Sequence, residues 1–353
     1  MEIGGFFPYS SLPEEENNYV SRMCPGADDI LHLMSGRCAI YLCLRDIMKT
    51  DQKRAAYLPA YTCETVSGCF VKAGYEIFYY DFDHSLTPKF DENLIPKISF
   101  LMICGYYGYS AFDIEFVKKC RRNNVVVMQD MTHTAFSPAC PETDYLAVSL
   151  RKWMGVASGG LAVKRSGKFS VSPIPADEVH LGIRRTALGK REKYELTGDE
   201  SLNKESADAF WKAEFMLREI FDMQAGDEES FKTILHYPLD ESIRKRRENF
   251  AYLLKNLPEN PAVRPVFTGL PDDVCPMFFP FLVDGRDALM KHLADSRIPP
   301  KVYWPVPPFI EIEKYPGAQY IYAHVMSISC DQRFDIADME RVVEVFRDFA
   351  LRK

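Results

Sequence analysis

The chain of 353 residues is 47% hydrophobic and 26% charged, an ordinary globular composition with room for one large domain and a smaller one. A formal net charge of -7 argues against general affinity for nucleic acid, although a local cluster of Arg and Lys can still hold a small anion. No apolar run is long enough to cross a bilayer, and the acidic start lacks the basic-then-apolar pattern of a secretion signal. Ten scattered cysteines contain no CxxC pair and no zinc-ligand rhythm. These features point to a cytoplasmic protein with reduced thiols, no bound metal, and neither nucleic acid nor membrane as partner.

From about Met34 to Val163 helix-like and strand-like textures alternate. "SGRCAIYLCLRDIMK" begins with Ser35 as an N-cap and continues as an apolar-rich helix. "AAYLPAY" is a short strand ended by Pro59, and "CETVSGCFVKAG" a helix ending at Gly74. "YEIFYYDFD" and "ISFLMIC" read as strands. "AFDIEFVKKCRRNN" is an amphipathic helix stopped by Asn123 and Asn124, followed by the strands "VVVMQD" and "DYLAVSL". Near-continuous apolar strands separated by helices indicate an α/β layer with a largely parallel sheet, whose ligands gather at the carboxyl ends of the strands.

Long charged helices follow, "SADAFWKAEFMLREIFDMQAG" and "ESIRKRRENFAYLLKNL", preceded by a polar stretch, "GDESLNKES", that reads as a loop. The remainder contains a strand ("MFFPFLVD"), a helix ("RDALMKHLADSRI"), the proline-rich "PPKVYWPVPP", a strand ("HVMSISC") and a closing helix capped by Asp335. The expected division is a large α/β domain over residues 1–245 and a small α+β domain over residues 246–353.

Four short pieces could carry chemistry. Ser35-Gly36-Arg37 opens a helix, where free N–H groups suit a phosphate; an ordinary serine cap accounts for them equally. Asp130 ends a strand with His133 three residues on. The carboxylate could pair with a cationic heterocycle, form a turn, or join the histidine as part of a metal site. Lys152, in "SLRK", could form a Schiff base if burial or a neighbouring cation such as Arg151 depresses its pKa, or could be a surface lysine. Gly159-Gly160 allows close backbone approach to a ligand, or a hairpin turn.

The order of these pieces resembles enzymes of the aspartate aminotransferase fold that use pyridoxal 5'-phosphate (PLP). More closely, it resembles the DegT/DnrJ/EryC1/StrS family, largely sugar aminotransferases of nucleotide-sugar and polysaccharide biosynthesis. The matching positions are Ser35-Gly36-Arg37, Asp130 with His133, and Lys152 with Gly159-Gly160. "YLPAYTCETVSGCFVKAGYEIFYYDFD" and "GYYGYSAFD" also look like family segments.

The resemblance implies that Lys152 forms the internal aldimine and shuttles a proton, that Asp130 pairs with the pyridinium nitrogen, and that His133 contacts the ring hydroxyl. Gly36 and Arg37, at the helix that Ser35 opens, and Ser149 would hold the phosphate. It further implies a homodimer with a shared site, reached by a polar loop from the neighbour. Here that loop would be "GIRRTALGKREKYELTGDESLNKES", with Arg184, Arg185 or Asn203 as contacts, and Tyr303 and Trp304 would line the substrate pocket. The chain departs from the family pattern in having Arg37 for a threonine, in Ser149 lying three rather than five residues before the lysine, and in Cys63, with Tyr61 nearby, where an aromatic ring often stacks on the cofactor.

The implied reaction moves an amino group from an amino acid donor, glutamate or glutamine, to a keto-sugar or similar carbonyl acceptor. Lys152 argues against the family's dehydratase branch. A lyase or desulfurase would need a mobile cysteine, and Cys275 and Cys330 lie in strand-like runs. A non-catalytic PLP-binding homologue is the other alternative. A nucleotide-binding protein ranks last, since neither GxGxxG after the first strand nor GxxxxGK[ST] occurs.

Overall fold

The computed structural model describes residues 2–9 and 15–351. Part of the acidic start and the last two residues of the expected closing helix, Arg352 and Lys353, lie outside them. The strands of the main sheet are, in chain order, β1 (Asp29–Leu33), β2 (Ala55–Pro59), β3 (Glu76–Phe82), β4 (Pro88–Lys89), β5 (Phe100–Cys104), β6 (Val126–Asp130), β7 (Tyr145–Ser149) and β8 (Gly160–Lys164). They lie in the order β1-β8-β7-β6-β5-β2-β3-β4. From β7 to β3 all neighbours run parallel, while β8 runs antiparallel to both β7 and β1.

The central strands are apolar throughout because helices cover both faces. In β5, Leu101 and Ile103 enter one core while Phe100 and Met102 enter the other, the period of two that a pleated strand imposes. Helix Gly36–Ile47 forms where expected, with Ser35 Oγ accepting from the Cys38 N–H. Its buried face, including Ile40, Leu44 and Ile47, packs on the second core.

A second, antiparallel sheet is built from β9 (Val263–Pro265), β10 (Phe279–Val283) and β11 (Val325–Ile328), in the order β11-β10-β9. It has its own core, in which Phe250 and Leu253 of helix Leu239–Asn256 meet Phe279, Phe281 and Phe346. Asp335 caps the closing helix Ile336–Leu351 by accepting from the Asp338 N–H. The fold is α/β with a large, mostly parallel sheet, as the texture of the sequence implies.

One expectation is corrected. "GDESLNKES" is not a loop. Gly198 takes a left-handed φ of 71°, Asp199 caps the next helix through the Ser201 N–H, and helix Glu200–Ile220 begins at once. Asp199 is a favoured cap, and Glu200, Leu202, Lys204 and Glu205 are good helix formers, so the break is confined to two residues. With helix Glu178–Thr197 they form an antiparallel helical hairpin, and the segment expected as a polar loop is helical.

Candidate active site

The parallel strands deliver their carboxyl ends to one cavity of about 830 Å³, a size typical of a small-molecule site. Thr62 and Cys63 follow β2, Gly105 and Tyr106 follow β5, Asp130 ends β6, and Ser149 ends β7. Gly36 faces the tip of β7 so closely that a Cβ there would lie 2.8 Å from the Ser149 Cβ. Gly160, the first residue of β8, runs beneath the Ser35 carbonyl, where a Cβ would come within 2.1 Å of the oxygen. The paired glycines thus allow the last strand to pack under the helix start.

Lys152 ends a tight turn, Leu150–Lys152, closed by the Leu150 N–H donating to the Gly159 carbonyl. The next residue anchors the turn. Trp153 is fully buried, its indole N–H donates to the Thr132 carbonyl at 2.9 Å, and the Arg246 guanidinium lies 4.7 Å over its ring. Lys152 Nζ stands 5.2 Å from the Tyr303 ring centre and 5.5 Å from that of Trp304. Burial pulls its pKa below the usual lysine range, the nearby charges of Cys63, Asp130 and Glu214 oppose this, and Arg151 adds to it.

Asp130 is 8% exposed and accepts a hydrogen bond from the Thr132 N–H at 2.9 Å, so it also makes a local turn. Burial raises its pKa, against the pull of Thr132 and Lys152. His133 is buried, stacks on Trp304 at 5.0 Å and meets Tyr303 edge-on at 5.0 Å. Neither of its ring nitrogens finds a hydrogen-bond partner among the described residues, and burial drives its pKa far down, so the ring is neutral.

Of the remaining expected residues, Arg37, Cys63, Asn203, Tyr303 and Trp304 line the cavity. Tyr61 stands one layer back, wholly buried, with its hydroxyl held between the Tyr107 hydroxyl and the Tyr303 carbonyl. Arg185 does not reach the cavity; it pairs with Asp227 and Glu229. Arg184 is buried behind the wall, 3.5 Å from Glu214. Cys275 and Cys330 are fully buried with thiol pKa values pushed up, that of Cys275 to about 12.

The sequence gives no signal for three further residues at the cavity. Glu214 lies 3.2 Å from Arg151 Nη1 and accepts a hydrogen bond from Arg37 Nη2 at 3.4 Å. Lys301 is pushed down to about 7, chiefly by burial and next by Arg333. Arg191, buried on helix Glu178–Thr197, donates to Asn203 and Glu2. Glycine and Arg37 at a helix start, Arg37 Nη1, Arg151 Nε and His133 nitrogens without hydrogen-bond partners among the described residues, and a buried carboxyl near an amine fit a phosphorylated aldehyde with a basic ring nitrogen.

No family model and no curated protein matches the sequence. Solved structures do match the fold. The aminotransferase TlmJ from Streptoalloteichus hindustanus is 14% identical, with a TM-score of 0.70 over 99% of this chain and 100% of that one. PseC of Helicobacter pylori, an aminotransferase involved in pseudoaminic acid biosynthesis, is 12% identical with a TM-score of 0.68 over 99% of each chain. The sugar aminotransferase CalS13 from Micromonospora echinospora is 17% identical with a TM-score of 0.65 over 98% and 99%. Over almost its whole length the chain shares the fold of these aminotransferases.

Proposed function

We propose that the protein is a PLP-dependent aminotransferase that moves an amino group from an amino acid, glutamate or glutamine, to a keto-sugar or similar carbonyl acceptor. The observation that carries this reading is the convergence of Lys152, Asp130 and His133 on one cavity that Gly36, Arg37 and Arg151 also line. PLP supplies an aldehyde that condenses with primary amines and a cationic ring that takes up an electron pair.

Lys152 offers an amine whose proton burial has loosened, which suits it to attach the cofactor and then to carry a proton to and from the substrate carbon. Asp130 would pair with the ring nitrogen and favour its protonated form. His133, uncharged, would hydrogen-bond the ring hydroxyl, and Tyr303 and Trp304, whose rings pack against His133, would exclude water. The Ser149 hydroxyl, the amides at Gly36 and the Arg37 guanidinium, which line the cavity, would take the phosphate. The functional unit is a homodimer.

The test is direct. Purified protein given PLP should acquire a yellow absorbance band, lose it to the amine form on adding glutamate, and carry a pyridoxyl mass on Lys152 after borohydride reduction. Lys152→Ala should show none of these. Wild-type protein that gains no band and no adduct refutes the reading. A band that glutamate leaves unchanged refutes the transamination. Sedimentation should give twice the mass of one chain.

A further inference from the structure

The cavity has an end at which charge does not balance. Glu214, on helix Glu200–Ile220, points inward, its Oε1 3.2 Å from Arg151 Nη1 and 3.5 Å from Arg184 Nη1, and its Oε2 3.4 Å from Arg37 Nη2. The arginine side chains are 13%, 9% and 3% exposed for Arg37, Arg151 and Arg184, and that of Glu214 is 22% exposed. Arginine keeps its charge even when buried. Three guanidinium groups therefore face one carboxylate. Beside them His180 adds no charge, since burial and the adjacent arginines bring its pKa down to about 4.

The contacts carry the mark of a shared counter-ion. At 3.2 to 3.5 Å they exceed the ~2.7–2.9 Å of a tight charge-assisted bond, because a single carboxylate is divided among three cations: Arg37 and Arg184 donate to it, and Arg151 stands at ion-pair distance. Arg37 Nη1, Arg151 Nε and Arg184 Nε are left without hydrogen-bond partners among the described residues. Buried cations in surplus call for an anion. The surplus is two positive charges, and the anion nearest to that in charge and donor demand is a phosphomonoester, at roughly -1.5 to -2 with three acceptor oxygens. Arg37 also sits at the start of helix Gly36–Ile47, whose positive end adds to the attraction.

We propose that Glu214 is a built-in counter-ion of a phosphomonoester pocket: its carboxylate holds Arg37, Arg151 and Arg184 in place and, through its own charge, weakens the binding of the phosphate they receive. Arg184 belongs to this pocket from behind the cavity wall, steadied by the Phe210 ring 4.8 Å from its guanidinium carbon. The inference rests on the PLP reading for the identity of the ligand, and on the side chains alone for its charge. Glu214 is then a positioning residue that sets how tightly the cofactor is kept.

The experiment is calorimetric titration of inorganic phosphate, PLP and pyridoxal, which lacks the phosphate, into wild-type protein, Glu214→Gln and Arg184→Met. Glu214→Gln removes a charge and keeps the shape, so phosphate and PLP should bind at least about ten-fold tighter, with pyridoxal unchanged. Arg184→Met should weaken phosphate and PLP about ten-fold and leave pyridoxal alone. Unchanged or weaker phosphate binding in Glu214→Gln overturns the proposal. If that variant does not fold, undiminished phosphate binding in Arg184→Met overturns it instead. A tighter phosphate response without a PLP band upholds this inference and sinks the cofactor reading. A PLP band with phosphate affinity unmoved by either substitution does the opposite.

Discussion

The two ends of the cavity solve burial differently. At the ring end Lys152, Asp130 and His133 are groups that can change protonation, and burial moves each toward its neutral form: the lysine down, the aspartate up, the histidine far down. At the phosphate end the groups are arginines, which keep their protons, and the fold supplies a carboxylate instead. Glu214 is held down to about 2 by Arg151, Arg184 and Arg37 against the opposing effect of its own burial. One end is poised for proton transfer, and the other is a fixed field.

Asp130→Asn tests that division most severely. It should cut the amino-transfer rate about 10²- to 10³-fold, the usual loss when one electrostatic partner of the reacting group is removed, while leaving phosphate affinity intact. Loss of phosphate binding in that variant would break the comparison.

Gly160→Ala should damage both ends together. Its Cβ meets the Ser35 carbonyl, and relieving the overlap should cost about 1–3 kcal/mol of stability in urea unfolding. Both the helix start and the Lys152 turn flank this contact, so an effect confined to one end would show that they move independently.

The pH dependence sharpens the contrast. Lys301, in the same cavity, has its folded pKa lowered to about 7, so from pH 7 to about pH 10 the unfolded chain holds a proton that the folded chain has released. Stability should therefore rise with pH across that window, by at most about 1.4 kcal/mol per unit from this group. Lys301→Met should flatten the rise, and Lys152, displaced in the same direction, should leave a remainder. Glu214, ionised in both states above its ordinary range, should contribute no slope there. The smallest effect is expected from Ser35→Ala, which removes the helix cap for about 1 kcal/mol and should lower phosphate affinity only slightly.

The ring end was legible because its signals are local. β-Branched runs marked β6, and Asp130 and Lys152 stand at the ends of strand-like runs. The phosphate end was partly hidden. On helix Glu200–Ile220 the rings of Trp211 and Phe215 are both 57% exposed while Glu214 turns inward, the reverse of the arrangement an amphipathic reading assumes. Arg184 and Arg185 are neighbours on one helix, yet only Arg184 joins the cluster; which of the two does so depends on packing. β1 escaped notice because "DILHL" is short and all but its last residue only half-buried. Lys301 reads as an ordinary charged residue until Arg333 and the Phe278 ring close around it.

The opening segment closes the cavity from far away in sequence. Gly5 and Phe6 line it, and the carbonyls of Gly5 and Phe6 accept from Lys301 and Arg333 while the Ile3 N–H donates to the Arg297 carbonyl. These residues precede those partners by some three hundred positions. The wall they form needs the segment that carries Arg297, Lys301 and Arg333 to be in place, so completing the pocket requires long-range closure.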